Sequence, residues 1–378
     1  MLHTMSFSEP VLNSVIGGKS SIDMPRLNIQ TPAEATAFLK GYGYDIENET
    51  DQKKLWYFHR RALVFLEEKL GFSRAEVPEI IHDAKQLGDI RQLLLLASSS
   101  NPAERSLQKW ACAVLRVMHV FVHTENDLFS SFTEEIQKQI LSPFQSCIFN
   151  DGTSGQIFLR KHLETSSSTE PAQEEEPLSL LGFEVKPFKT STSSVIKLLA
   201  KPDALAMSVY DKLGVRFVTH SMFDAYRVVR FMVEENLISF PHIMPDQSSN
   251  NLYPVDLFIE VITELKGLGR TLDEKEIDEL FRRRMEERKH SVEFLRKENS
   301  YSGQEYRFIK FISRKLIKLQ LPDNKGQFSF FFPYEVQIMD KEAHQKILSG
   351  PAEHQAYKER QRMAARKRVL PDLEDNKS

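Results

Sequence analysis

Carboxylates and cations next to strand-forming runs are the first chemistry this sequence offers. Asp211 precedes the run GVRFVTH, and Glu335 stands between Tyr334 and Val336 inside SFFFPYEVQIM. A carboxylate on an otherwise apolar strand must face water or a partner. Phosphoryl and pyrophosphoryl transfer needs a hard cation to neutralise triphosphate charge, and Mg²⁺ is usually held by one or two carboxylates with phosphate oxygens and water. Asp211 and Glu335 are the expected pair, brought together by adjacent strands of one sheet although they lie far apart in sequence. Lys197, Lys201 and Arg216 lie close enough along the chain to cradle phosphates, Lys358 and His354 would approach from the C-terminal helix, and Tyr306 offers a flat apolar face to a base.

The segment from Phe332 to Lys358, FPYEVQIMDKEAHQKILSGPAEHQAYK, resembles the signature of the RelA/SpoT (ppGpp synthetase) family. With Glu335-Val336-Gln337-Ile338 on the family's EIQI strand, His344, Gly350, His354, Tyr357 and Lys358 each meet their counterpart without a gap. The stretch from Asp211 to Val218, DKLGVRFV, is similar to the family's D-x-x-G-x-R strand, and Asp224-Ala225-Tyr226 falls where the family has D-C-Y. Glu305 to Lys310 is similar to the GYQSLH strand, with Tyr306 on the tyrosine that stacks on the acceptor guanine. Of the family's arginine, lysine and serine ATP motif, Lys201-Pro202 and Ser208 are present, but the segment before Asp211 is compressed and no Arg stands at the expected place.

This resemblance covers about residues 190–370 and implies a nucleotidyltransferase-like domain using Mg²⁺, a nucleoside triphosphate and a nucleotide or RNA acceptor. It implies catalytic roles for Asp211, Glu335 and Arg216, with Asp211 and Glu335 on the metal. Nucleotide contacts are implied for Lys197, Lys201, Ser208, Tyr306, Arg307, Lys310, Gln337, His344, His354 and Lys358. The chain also departs from the pattern: Met339 replaces the arginine of EIQIRT, Glu305 the glycine before the stacking tyrosine, Arg307 its glutamine, and Gln355 the tryptophan after the second histidine. Three readings stay open: a Mg²⁺-dependent nucleotide (pyro)phosphotransferase, a catalytically silent nucleotide-sensing or RNA-interacting module on the same fold, and an activity held by the helical domain with a C-terminal match that is architectural only.

Full-length members of that family carry an HD-type hydrolase ahead of the synthetase, so His59, His82-Asp83, His119, His123 and Asp127 invite comparison. His119 and His123 share a helix face at i and i+4, but no Glu follows the first as a zinc hydrolase motif requires. Core or surface histidines are the default, leaving the N-terminal domain regulatory or structural. The basic stretches Arg282-Arg283-Arg284 with Arg288-Lys289, and Lys358 to Arg368, are interleaved with Glu or Ala at helical spacing. That pattern reads as solvated faces with i,i+4 pairs, and RNA contact through these helices is the rival reading.

The elements that must position these groups change in character along the chain. Residues 1–30 show no sustained period and read as a flexible arm. Thr31-Pro32 is an N-cap followed by Pro at the first helical position, and a second helix is expected after Asp51 with Gly71 to end it. Further helical patterns cover about 78–98, 104–123 and 132–142, giving an all-helical domain over 31–160. An acidic Ser/Thr-rich linker or loop follows at 161–180, where ETSSSTEPAQEEEP has no large apolar side chain to bury. Over 181–370, short runs such as FEVKPF, SVIKLL, GVRFVTH, EYRFIKFI and SFFFPYEVQIM alternate with helical stretches at about 222–236, 272–297 and 341–368, and 371–378 is a tail. The expected fold class is α+β, an all-helical N-terminal domain followed by a mixed sheet with flanking helices.

Composition bounds the rest. The 378 residues suffice for two domains, and 41 % hydrophobic with 27 % charged residues is ordinary for a packed protein. A net charge of −3 gives no global pull toward nucleic acid or an anionic membrane. Cys112 and Cys147 are flanked by apolar residues, as expected of buried free thiols in a reducing compartment, so a cytoplasmic location is expected. No apolar run approaches the roughly 20 residues that span a bilayer.

Overall fold

The computed structural model describes residues 9–17, 19–125, 132–161, 176–188, 191–201, 210–267, 273–288, 291, 293–295, 307–320, 326–349 and 351–371. The fold is α+β and the chain forms two compact units. One comprises Met1–Ser130, Thr190–Val209 and Ala356–Ser378; the other comprises Ser131–Lys189 and Tyr210–Gln355.

The first unit is helical. Its elements are α1 (Glu9–Val15), α2 (Pro32–Tyr42), α3 (Glu49–Glu68), the short α4 (Glu79–His82) and α5 (Ala84–Leu87), α6 (Arg91–Ser98), α7 (Arg105–Glu125) and α9 (Ser191–Ala200). Most of α14 (Pro351–Val369) also belongs to it. The start of α2 is set by a capping box in which the Thr31 hydroxyl accepts from the Glu34 N–H and the Glu34 carboxylate accepts from the Thr31 N–H, with Pro32 in the first turn. Gly43, at φ 105°, ends it in the left-handed conformation that a side chain would strain. Helix α7 is the centre, with α3, α6 and α9 packed on it and Trp110, Val114, Val117 and Phe121 in the shared core.

Three expectations are corrected in this unit. SVIKLL is not a strand but the body of α9, because Val195, Leu198 and Leu199 recur at helical spacing and are all buried. The N-terminal arm is packed in its later part: Ile22 and Ile29 are buried, and the Ile29 N–H donates to Ser98 Oγ, whereas Val15 and Ile16 are exposed. The basic run of α14 turns inward in part. Arg362 and Arg366 both donate to the Leu70 carbonyl at 2.9 Å, and Arg366 lies 3.7 Å over the Phe72 ring. Arg368 donates to the Leu198, Leu199 and Lys201 carbonyls and pairs with Asp23. Guanidinium groups at helix C-termini satisfy orphan carbonyls and oppose the dipole, which accounts for their position.

The second unit is built on a seven-stranded sheet in the order β1-β2-β3-β4-β7-β6-β5. Its strands are β1 (Ile148–Asn150), β2 (Ile157–Leu159), β3 (Leu178–Lys186), β4 (Gly214–Thr219), β5 (Ser249–Asn250), β6 (Ile309–Gln320) and β7 (Gln327–Asp340). Its helices are α8 (Thr133–Cys147), α10 (Met222–Glu234), α11 (Val255–Gly267), α12 (Glu274–Arg288) and α13 (Lys341–Ser349). The pairings are antiparallel except for β4 with β7, which run parallel with Gly214 opposite Glu335 and Arg216 opposite Gln337. Phe144 of α8 packs against Phe217 and Tyr334 on one sheet face. The division of the chain therefore differs from the expected boundary at 161–180. Residues 131–160 contribute a helix and two strands to the sheet unit, because three-residue strands are too short to show an alternating pattern.

Cys112 and Cys147 are buried and unpaired as a disulfide. Among the described residues no helix is long and apolar enough to cross a membrane.

Candidate functional site

Opposite residues on paired strands share a face, so the register decides which side chains meet. Glu184 is opposite Arg216 on β4, Arg216 is opposite Gln337 on β7, and Gln337 is opposite Lys310 on β6. Two residues along, Lys186, Gly214 and Glu335 form the next row of the same face. This face of the sheet thus carries a polar patch drawn from four adjacent strands.

The patch is a connected network. Lys186 Nζ donates to Glu335 Oε1 at 2.5 Å and to Gln337 Oε1 at 2.6 Å. Arg216 Nε donates to the same Gln337 oxygen at 3.1 Å, and its Nη1 donates to Glu184 Oε2 at 2.9 Å. His344 on α13 places Nε2 3.5 Å from Glu184 Oε1. Glu335 and Gln337 are buried, at 8 % and 3 % exposure, so their polar atoms require these partners. In the bonded network two cations, Lys186 and Arg216, meet two carboxylates, Glu335 and Glu184, through the Gln337 amide. Charge of either sign brought to the patch would meet preplaced groups in a partly dry setting.

Gly214 is required by this geometry. A methyl group built on it would meet the Glu335 carbonyl oxygen at 2.9 Å and Glu335 Cβ at 3.2 Å. Just before this point the Glu335 N–H donates to the Leu213 carbonyl at 2.9 Å, locking the entry of β4 against β7. Asp211 lies on the turn three residues before Gly214.

Of the residues expected from sequence, the sheet unit brings together Glu335, Gln337, Arg216, Lys310 and His344, with Asp211 on the adjoining turn. Lys197, Lys201 and Lys358 belong to the helical unit, where Lys201 offers its carbonyl to Arg368. Arg307 donates to the Leu252 carbonyl and so anchors a loop. Ser208, Tyr306 and the side chain of His354 lie outside the described residues. Asp224 is a helix-start residue: its N–H donates to Ser221 Oγ and its carboxylate pairs with Arg227. Tyr226 stacks on Phe258 at 3.8 Å and donates to the Tyr253 carbonyl, a packing role.

Sequence reasoning missed Lys186 and Glu184. The signal was present in FEVKPF, where the two charged residues alternate with Val185 and therefore share a face of a strand otherwise rich in apolar residues. What could not be read was that this strand lies next to β4.

The histidines of the helical unit have separate surroundings. His82 Nε2 lies 2.7 Å from Glu67 Oε1 and 2.8 Å from Arg74 Nη1, and Asp83 caps α5 through the Lys85 N–H. His119 Nδ1 is 2.6 Å from Tyr42 Oη, and its ring lies 4.5 Å from that of His123. His59 is fully buried with neither ring nitrogen hydrogen-bonded among the described residues; the Ile81 main chain approaches the ring without completing a bond. Burial drives His59 and His119 down to about 4, so both rings are neutral near pH 7. Asp127 lies outside the described residues. Among the described residues, no three His, Cys, Asp or Glu side chains converge as a metal site would require.

No protein-family model matches this chain, and no curated protein matches it.

Proposed function

We propose that the polar sheet face binds a nucleoside triphosphate beside a nucleotide or RNA acceptor, and that the protein is a Mg²⁺-dependent nucleotide (pyro)phosphotransferase of the RelA/SpoT kind. The observation that carries this reading is the parallel pairing of β4 with β7, with Gly214 opposite Glu335. Three residues of chain span at most about 10 Å, so the turn bearing Asp211 lies within that reach of Gly214, which stands opposite Glu335. Two carboxylates with phosphate oxygens and water are a donor set suited to Mg²⁺. Asp211 and Glu335 would hold the ion, Glu335 through Oε2 because Oε1 accepts from Lys186. Bound there, it would neutralise triphosphate charge.

The chain's own residues would do the remaining work by position and charge. Arg216 and Lys186 present donors fixed by Gln337, and Lys310 adds a cation on the same face. The acceptor hydroxyl oxygen would bond to a donor phosphorus as the phosphoanhydride bond breaks. The departing nucleotide phosphate takes the electron pair and the hydroxyl proton passes to solvent. Buried free thiols accord with a reducing, cytoplasmic setting.

One observation favours a second reading. The Lys186 ammonium stands 2.5 Å from Glu335, where it compensates the carboxylate without any metal. A catalytically silent nucleotide-sensing or RNA-interacting module would keep this pair permanently. Purified protein incubated with Mg²⁺, labelled ATP and GDP, GTP or RNA separates the two. Transfer that disappears in Asp211→Ala and Glu335→Ala supports the transferase. Silence of the wild type together with saturable nucleotide binding supports the sensor, and absence of both turnover and binding removes the nucleotide reading.

A further inference from the structure

The helical unit holds a cavity of about 520 Å³ between the N-terminal segment and helices α2, α3, α6 and α7. Its volume falls inside the range of roughly 300–1,000 Å³ typical of small-molecule sites. Most of its lining is aliphatic, with Leu94, Leu115 and Met118 in the interior and Val11, Val15 and Phe38 toward the outside. The space is open to solvent along one side, so it is an apolar cleft within one unit, the kind of concavity in which small molecules bind.

The polar groups on its wall define what that occupant is. Tyr42 and His119 bond to each other at 2.6 Å. The phenol is the stronger donor of the two, so its proton points to Nδ1 and the ring carries its own proton on Nε2. Burial keeps both groups uncharged near pH 7, pushing His119 down to about 4 and Tyr42 well above the ordinary phenol range. Arg116 is buried and directs its guanidinium to the Met24 and Val369 carbonyls. Arg26 is exposed and forms no ion pair among the described residues. The lining contains these two arginines and not one Asp or Glu.

The rim of the opening is itself apolar and exposed. Val11, Val15 and Phe38 line it and are 42 %, 74 % and 42 % exposed. Scattered apolar residues on a surface need no explanation, but a group gathered at the entrance of an apolar cavity does. It is the surface an aliphatic chain would cross on entry.

We propose that this cavity is a binding site for an aliphatic monocarboxylate, its chain among Leu94, Leu115 and Met118 and its carboxylate toward Arg26. Chain burial supplies the affinity, and the acid-free, arginine-bearing lining excludes a cationic headgroup of the same length. The site belongs to the helical unit and stands whether or not the sheet unit turns over nucleotides.

Calorimetry and thermal melting of the full chain with decanoate, below its micellar concentration, test this directly, with decyltrimethylammonium as the cationic control. Saturable decanoate binding is expected, with a raised Tm and at least about tenfold weaker binding of the ammonium compound. Leu115→Trp fills the cavity and is expected to abolish binding while the unliganded protein still melts cooperatively. Arg26→Glu, at an exposed position, is expected to weaken decanoate by about tenfold or more; it decides the matter if the tryptophan variant does not fold. Absence of saturable binding, equal binding of both headgroups, or undiminished binding in either folded variant overturns the proposal.

Discussion

Lys186 Nζ lies 2.5 Å from Glu335 Oε1, joining the end of β3 to the centre of β7 across the intervening strand β4. The same ammonium reaches Gln337 at 2.6 Å, so one lysine compensates a buried carboxylate and orients a buried amide. Removing one partner of such a pair leaves the other desolvated and uncompensated, which costs more than the pair contributes as a whole. Lys186→Met is therefore expected to destabilise the sheet unit by about 1–3 kcal/mol in urea unfolding. Lys186→Met combined with Glu335→Gln is expected to recover most of that loss. A double variant as unstable as the sum of the two singles would show that the pair is not coupled.

The close approach of β4 to β7 predicts that two glycines respond differently. At Gly214 an added methyl group meets backbone at 2.9 Å, whereas at Gly182 it meets only the Val218 side chain at 3.6 Å, an ordinary contact. Gly214→Ala is expected to cost about 1–3 kcal/mol through forced strand displacement, and Gly182→Ala less than about 1 kcal/mol. Equal effects in chemical denaturation would mean that β4 and β7 pair less tightly at Glu335 than the register indicates.

How far the sequence revealed this arrangement depended on the range of the interactions involved. Local signals were readable: the Thr31-Pro32 cap, the helical periods of α3 and α7, and the strands at GVRFVT and FFFPYEVQIM each follow from neighbours in the chain. Glu335 stood out as a carboxylate on an apolar strand and Arg216 as a cation close to Lys197 and Lys201, whereas Gln337 was named only by the family resemblance. Lys186 was missed because its role comes from strand order, and β3 meets β4 only through tertiary pairing. SVIKLL was misread since a short apolar run satisfies both periods, and the core around α7 decided in favour of helix. The inward arginines of α14 were taken for a solvated face, as their acceptors are main-chain carbonyls near 70 and 200 that no local pattern announces.

His59 makes the helical unit sensitive to mild acid. Its ring is fully buried beside Trp56, at 5.4 Å between centroids, and burial lowers its pKa from 6.5 to about 4. The unfolded chain binds this proton below about pH 6.5, but the folded protein does so only near 4, so stability present above 6.5 is lost progressively as the pH falls through that interval. The loss attributable to His59 is expected to be about 3 kcal/mol, largely above the range where ordinary carboxylates titrate. His59→Phe keeps a ring against Trp56 and removes the titration, so its Tm is expected to fall less between pH 6.5 and 4.5 than that of the wild type. Parallel pH profiles for the two proteins would assign the acid sensitivity elsewhere, first to the half-buried His119, which is lowered to about 4 as well.

The outer edge of β6 carries a guard that can be removed alone. The Gln139 side chain on α8 donates from Nε2 to the Lys318 carbonyl at 2.8 Å and accepts from the Lys318 N–H at 3.1 Å. One amide thereby satisfies both outward main-chain groups of a strand residue, as a further strand would. Unpaired edge groups are templates for pairing with another chain, so such a cap works against self-association as well as for stability. Gln139→Ala removes both bonds at an exposed position, where their net contribution is small, about 0.5–1.5 kcal/mol. The larger effect is expected in solution behaviour: sedimentation should reveal concentration-dependent association in Gln139→Ala that is weaker or missing in the wild type. Gln139→Asn has the same amide on a shorter stem that cannot reach both groups, so it should behave like the alanine variant. If both variants sediment as the wild type does, the edge is protected by its own twist and side chains, and the glutamine contributes only its two hydrogen bonds.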